Sequence, residues 1–154
     1  MFALRNVGVL GRRCMSSVGK LVQTDVRNNI GYITLSDPAK LNALTEAMGN
    51  EFTEAVDKMC VEAQKQRIRA CIITGEGKAF SAGGDLDWLR ERHDTAPYLN
   101  KQIMFKFYNL YLCVRRIPVP TIAAINGPAI GAGMCMYHMM ISNYMIYPRH
   151  DTGL

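Results

Sequence analysis

The sequence has no pair of cysteines at metal-clip or redox spacing. Cys14, Cys60, Cys71, Cys113 and Cys135 are scattered, which argues against a zinc site, a C-x-x-C redox centre and a disulfide framework. Buried free thiols are the simpler reading. The three histidines, His93, His138 and His150, show no H-E-x-x-H spacing, so no metal is predicted. No apolar run reaches the ~20 residues that a membrane-spanning helix needs. The first twenty residues contain no acid. They hold Arg5, Arg12, Arg13 and Lys20, so the remaining 14 basic residues face all 13 acidic ones. The net charge of +5 therefore sits mostly in the leader, and the near-neutral body lacks the basic face that nucleic-acid binding requires.

What is present fits one globular domain. The chain has 154 residues, 49% hydrophobic and 20% charged, a balance far from disorder. Residues 1–20 are basic, contain Ser16-Ser17 and lack acids, the pattern of a mitochondrial transit peptide; a matrix location is the corresponding expectation. They are left out of the fold reading.

From Leu21 onward, strand and helix signals alternate. Leu21–Arg27 and Ile30–Leu35 flank the turn signal Asn28-Asn29 and predict a β-hairpin. Pro38 lies beyond it. Thr45 is a helix N-cap candidate, followed by Met48, Phe52, Val56 and Cys60 along one face. Ala70–Thr74 and Thr121–Ile125 read as short buried strands. A second long helix is predicted over Tyr98–Arg116, stopped by Pro118 and Pro120. This order predicts an α/β fold.

Two glycine-rich loops each follow a strand and lead into a helix: Ala82-Gly83-Gly84-Asp85 before Leu86, and Gly127 to Gly133. The second is neither G-x-G-x-x-G nor a phosphate loop ending in Gly-Lys-Ser/Thr. One such loop alone is most simply a tight turn. Two together could aim unpaired helix-start N–H groups at a single oxygen, the requirement of an oxyanion hole.

Three segments carry a resemblance. Lys40-Leu41-Asn42-Ala43-Leu44, Lys78 to Leu86 (KAFSAGGDL) and Pro120 to Gly133 (PTIAAINGPAIGAG) are similar to motifs of the enoyl-CoA hydratase/isomerase (crotonase) superfamily, in the family's order and spacing. The resemblance runs from about Leu21 to Tyr137 and implies a crotonase-like ββα superhelix, here its N-terminal part and truncated. It implies a coenzyme A thioester as substrate with no further cofactor, in fatty-acid or branched-chain acyl-CoA metabolism, and assembly into trimers or paired trimers. By the same resemblance the backbone N–H groups of Ala82 and Ala132 would bind the thioester oxygen. Gly83, Gly84 and Asp85 would surround the acyl-CoA, with Lys40 and Ala43 near the coenzyme.

The sequence also departs from the family. Family hydratases use two glutamates, and the first of these positions is Cys135 here. A thiol loses its proton roughly four pH units above a carboxyl, so it is a poor substitute. The second glutamate lies further along in the family than this sequence runs. A thioester hydrolase or isomerase with a single acid/base group is therefore an alternative, as is a non-catalytic acyl-CoA-binding or regulatory form. Residues 138–154 read as a divergent tail, with methionines clustered from Met134 to Met145 as the end of an apolar helix. His93 and His138 are possible general bases but read as exposed or packed side chains, and Glu46, Glu51 and Glu91 as helix-surface residues.

Overall fold

The computed structural model describes residues 20–140 and 145–146. The predicted leader up to residue 19 and most of the predicted tail, including His150, lie outside the described residues. The hairpin forms as expected, with β1 (Val22–Arg27) antiparallel to β2 (Ile30–Leu35). Its turn residues Asn28 and Asn29 have φ of 52° and 59°. Two successive left-handed residues match the right-handed twist of the strands, and asparagine adopts that conformation more easily than most residues.

The chain continues through α1 (Glu46–Gln64), β3 (Ala70–Gly75), α2 (Leu86–Arg90), α3 (Pro97–Leu112), β4 (Thr121–Ala124), α4 (Ala132–Met140) and the short β5 (Met145–Ile146). The predicted Tyr98–Arg116 helix is α3 followed by a 3-10 turn over Cys113–Arg116. The sheet order is β1-β2-β3-β4-β5, and every pairing after the hairpin is parallel. Parallel neighbours need crossovers, and the helices supply them. The α/β expectation holds.

Alternation along the strands sets the core. Ile33 and Leu35 of β2, Cys71 and Ile73 of β3, and Ala123 of β4 are buried. The opposite-face residues Tyr32, Ile72 and Ile122 are only half-buried. Helix α1 lays Met48, Phe52, Val56 and Met59 into this core, and α3 and α4 add Phe107, Tyr111, Met136 and Met140. Burial pushes the Cys71 thiol up to about 12, which makes it an inert core residue.

Two side chains anchor α1. The Thr45 hydroxyl accepts from the Met48 N–H at 3.1 Å, the N-cap expected from the sequence. Glu51 does more than sit on the helix surface. Its Oε2 accepts from the Leu21 and Val22 N–H groups at 2.8 and 3.0 Å and ties α1 to the start of β1. Thr45→Ala is expected to lower stability by about 1 kcal/mol, read as a reduced thermal midpoint with an unchanged far-UV spectrum.

Candidate active site

The three motifs, far apart in sequence, interlock in space. The first is the segment before α1. Leu41 and Asn42 have φ of 52° and 55°, and this left-handed pair turns the chain so that the Asn42 side chain points inward. Asn42 is fully buried. Its Oδ1 accepts from the Asp37 N–H at 2.9 Å, and its Nδ2 donates to the Glu76 and Ala79 carbonyls, both at 2.9 Å. One amide thus joins the first motif to the strand-to-loop corner after β3.

The loop from Ala79 to Asp85 then threads between the other two motifs. On one side, the Leu44 N–H donates to the Gly83 carbonyl at 2.7 Å and the Asp85 N–H to the Leu44 carbonyl at 3.1 Å. On the other, the Phe80 and Ser81 N–H groups donate to Pro128 O, and the Ile130 N–H returns a bond to Ser81 O at 3.0 Å. The Ser81 hydroxyl is fully enclosed. It donates to Asn42 O at 2.8 Å and accepts from the Gly83 N–H at 3.1 Å. Asn126 completes the lock, its Nδ2 donating to the Gly77 carbonyl at 2.9 Å and its Oδ1 accepting from the Gly75 N–H at 3.2 Å.

Close contact explains the glycines. Gly83 has φ of +86°, and a Cβ there would lie 2.5 Å from the Ile130 carbonyl oxygen and 3.5 Å from the Ala132 nitrogen. A Cβ at Gly127 would lie 2.1 Å from Lys78 O. The two loops touch backbone to backbone, and only residues without a Cβ permit it.

The consequence is a particular set of unpaired donors. The Ala82 N–H, which the sequence reading places on a substrate oxygen, donates instead to the Leu41 carbonyl at 2.9 Å. That donor is already engaged. Two positions further on, the Gly84 N–H has no acceptor among the described residues, and neither does the Ala132 N–H at the start of α4. The positive end of a helix lies at Ala132. An oxygen that carries or develops negative charge is what such a pair of donors can hold.

The chain matches the family model for enoyl-CoA hydratase/isomerase over residues 25–148. The protein belongs to the enoyl-CoA hydratase/isomerase family. An inferred enoyl-CoA hydratase of Thermus thermophilus is 35% identical over 118 residues, covering 75% of this chain and 45% of its own length. The human mitochondrial Delta(3,5)-Delta(2,4)-dienoyl-CoA isomerase is 29% identical over 133 residues, covering 81% and 40%. The crystal structure of an enoyl-CoA hydratase from Polaromonas sp. JS666 superposes with a TM-score of 0.66 at 31% identity, covering 77% of this chain and 45% of that one. The fold is therefore the N-terminal part of a crotonase fold, and the chain spans less than half the length of these relatives.

The remaining expected site residues of this family member fall around the loop. Asp85 caps α2, its Oδ1 accepting from the Trp88 N–H at 2.9 Å, and its other oxygen is 3.9 Å from Lys40 Nζ. Ala43 is buried at the corner between Lys40 and Leu44. Cys135 is exposed on the first turn of α4. His93 is exposed and pairs with Asp94 at 2.9 Å, and His138 is exposed on α4. No group of three or more potential metal ligands occurs among the described residues, and no described helix is long and apolar enough to cross a membrane.

Sequence reasoning missed three residues that build the site. Asn42 and Ser81 lie within the quoted motifs, and a polar residue flanked by apolar ones was the available signal. Gly84 was placed near the acyl-CoA but not as the donor. No local pattern distinguishes its N–H from that of Ala82.

Proposed function

We propose that this protein binds a coenzyme A thioester with the carbonyl oxygen between the Gly84 and Ala132 N–H groups and stabilises the enolate formed when an α-proton leaves. The observation that carries this reading is the pair of unpaired backbone donors on two interlocked glycine loops, one of them at a helix start. A thioester enolate places its charge on the carbonyl oxygen. Donors already fixed in position stabilise that charge without reorganising, and losing one typically costs on the order of 10²–10³ in rate. Gly83 and Gly84 leave room for the acyl group, and Lys40, the exposed cation beside Asp85, is available to a coenzyme A phosphate. The full fold would act in fatty-acid or branched-chain acyl-CoA metabolism, assembled as trimers or paired trimers. A mitochondrial site of action is supported by the basic leader and by the mitochondrial human relative.

A second reading concerns the reaction. Cys135 stands where family hydratases hold their first glutamate, and no carboxylate replaces it on α4 among the described residues. This favours isomerisation or hydrolysis with one acid/base group over two-carboxylate hydration. It also keeps open acyl-CoA binding without turnover.

The test is calorimetric titration of the protein with acetyl-CoA and with ethyl-CoA, the thioether that lacks the carbonyl oxygen. Two hydrogen bonds worth roughly 1 kcal/mol each predict about 30-fold tighter binding of the thioester. Equal affinities would remove the donor pair from the reading, and no binding of either would remove coenzyme A.

A further inference from the structure

Resting on the thioester reading, the structure points to the class of acyl group. Beside the Gly84 loop lies an open cavity of about 680 Å³ between α2 and α3, lined by Leu86, Leu89, Arg92, Asn100 and Met104 among others. That volume suits a small-molecule site. The cavity adjoins Gly84 of the proposed donor pair, because Leu89, which lines it, has its Cδ1 3.4 Å from the position a Gly84 Cβ would take. An acyl chain leaving the thioester at Gly84 would pass Leu89 and run along α2.

Two polar residues, Arg92 and Asn100, line this cavity together with the apolar ones. The Arg92 Nε–H and the Asn100 Oδ1 are buried atoms without a hydrogen-bond partner, and they are the two such side-chain atoms among the described residues. Buried polar atoms are nearly always paired, and both of these belong to side chains that line the one cavity. The neighbouring basic side chains already have partners. Arg90 pairs with Asp87 at 3.1 Å and His93 with Asp94 at 2.9 Å. Arg92 has no ion pair among the described residues; its Cζ instead lies over the Trp88 ring, 3.9 Å from the centroid. That cation–π contact holds the guanidinium beside the cavity and leaves its terminal nitrogens for a ligand. Arg92 also lines a second cavity of about 440 Å³, shared with Glu46 and Lys106.

We propose that the α2–α3 cavity accepts an acyl group ending in a carboxylate, with the terminal guanidinium nitrogens of Arg92 donating to the carboxylate and the Asn100 amide contributing a further polar contact. Guanidinium and carboxylate match in geometry as well as charge. Leu86, Leu89 and Met104 cover the methylene segment between the thioester and the acid. Arg92 is thus a specificity residue, and unsubstituted acyl chains leave its guanidinium without a counter-charge.

The experiment compares succinyl-, glutaryl- and adipoyl-CoA, each with the unsubstituted acyl-CoA of the same chain length, by calorimetry. At the best length the ω-carboxylated ligand is expected to bind on the order of tenfold to a hundredfold more tightly. Arg92→Met, which keeps the stem over Trp88, should erase that ratio while leaving affinity for the unsubstituted acyl-CoA within a few-fold. Arg92→Lys should retain part of it. If acyl-CoAs bind but no length shows a preference, the inference is overturned. It is equally overturned if Arg92→Met weakens both ligand series by the same factor, since Arg92 would then contact the coenzyme. If no acyl-CoA of either series binds, the thioester reading itself fails and this one falls with it.

Discussion

Replacing Gly83 with alanine is expected to weaken acyl-CoA binding by about 30-fold while leaving most of the sheet and α1 folded. Two effects act together. The residue sits at φ +86°, where a Cβ is strained by about 1–3 kcal/mol. The same Cβ would lie 2.5 Å from the Ile130 carbonyl oxygen, a backbone atom that cannot rotate away. The loops must separate, and Gly84 and Ala132 move apart with them. With the donors apart the two hydrogen bonds to the carbonyl oxygen are lost, so a loss of about 30-fold in acetyl-CoA affinity is expected, the same size as the thioester-over-thioether preference. Gly84→Ala provides the control. Its Cβ would meet no backbone, only the Leu89 side chain at 3.4 Å, so it takes space from the acyl group without separating the loops, and a smaller loss than for Gly83→Ala is expected. Calorimetry on both variants checks this, and equal losses would mean that loop contact is not what places the donors.

Asn42→Ala is expected to destabilise the described fold by about 3 kcal/mol. Its side chain satisfies the Asp37 N–H and the Glu76 and Ala79 carbonyls, and leaving a buried partner unpaired costs roughly 1–3 kcal/mol. Ala79 O retains a 3.3 Å bond from Asn126 Nδ2, so the loss falls mainly on the other two. Asn42 also has φ of 55°, a conformation that disfavours alanine by roughly 1–2 kcal/mol. Asn42→Gly removes the same bonds without that strain and should be about 1 kcal/mol more stable than Asn42→Ala. Urea unfolding of the two variants separates the terms, and identical midpoints would show that the backbone conformation carries no cost. Domains of this size are stable by about 5–15 kcal/mol, so the variant should fold but melt at markedly lower temperature.

Both predictions depend on residues whose importance is unequally visible in the sequence. Gly83 stands in a glycine run before a helix signal, and local patterning alone marks it. Asn42 is visible only as a polar residue inside an apolar motif. Its three partners lie five, 34 and 37 residues away, and no periodicity connects them. Glu51 is similar. Helical spacing places it on the surface of α1, yet the start of β1 folds against it and supplies two N–H donors. Arg92 and Asn100 carried no sequence signal, since their unpaired atoms are a property of the cavity wall.

The sequence by itself determined the order of strands and helices, the Thr45 cap, the apolar face of α1 and the two strand-to-helix glycine loops. Those features are local: side-chain periodicity, turn chemistry and the missing Cβ of glycine act within a few residues. Only the tertiary structure decided which backbone donors remain available. Ala82 and Gly84 lie two residues apart in one loop, and both carry an N–H. The first is engaged because Leu41, from a distant segment, brings its carbonyl to 2.9 Å, while the second meets no such acceptor among the described residues. Hydrogen bonds between loops depend on how separate segments register against one another, and that register is set by the packing of Asn42, Ser81 and Asn126 rather than by any pattern within the loop.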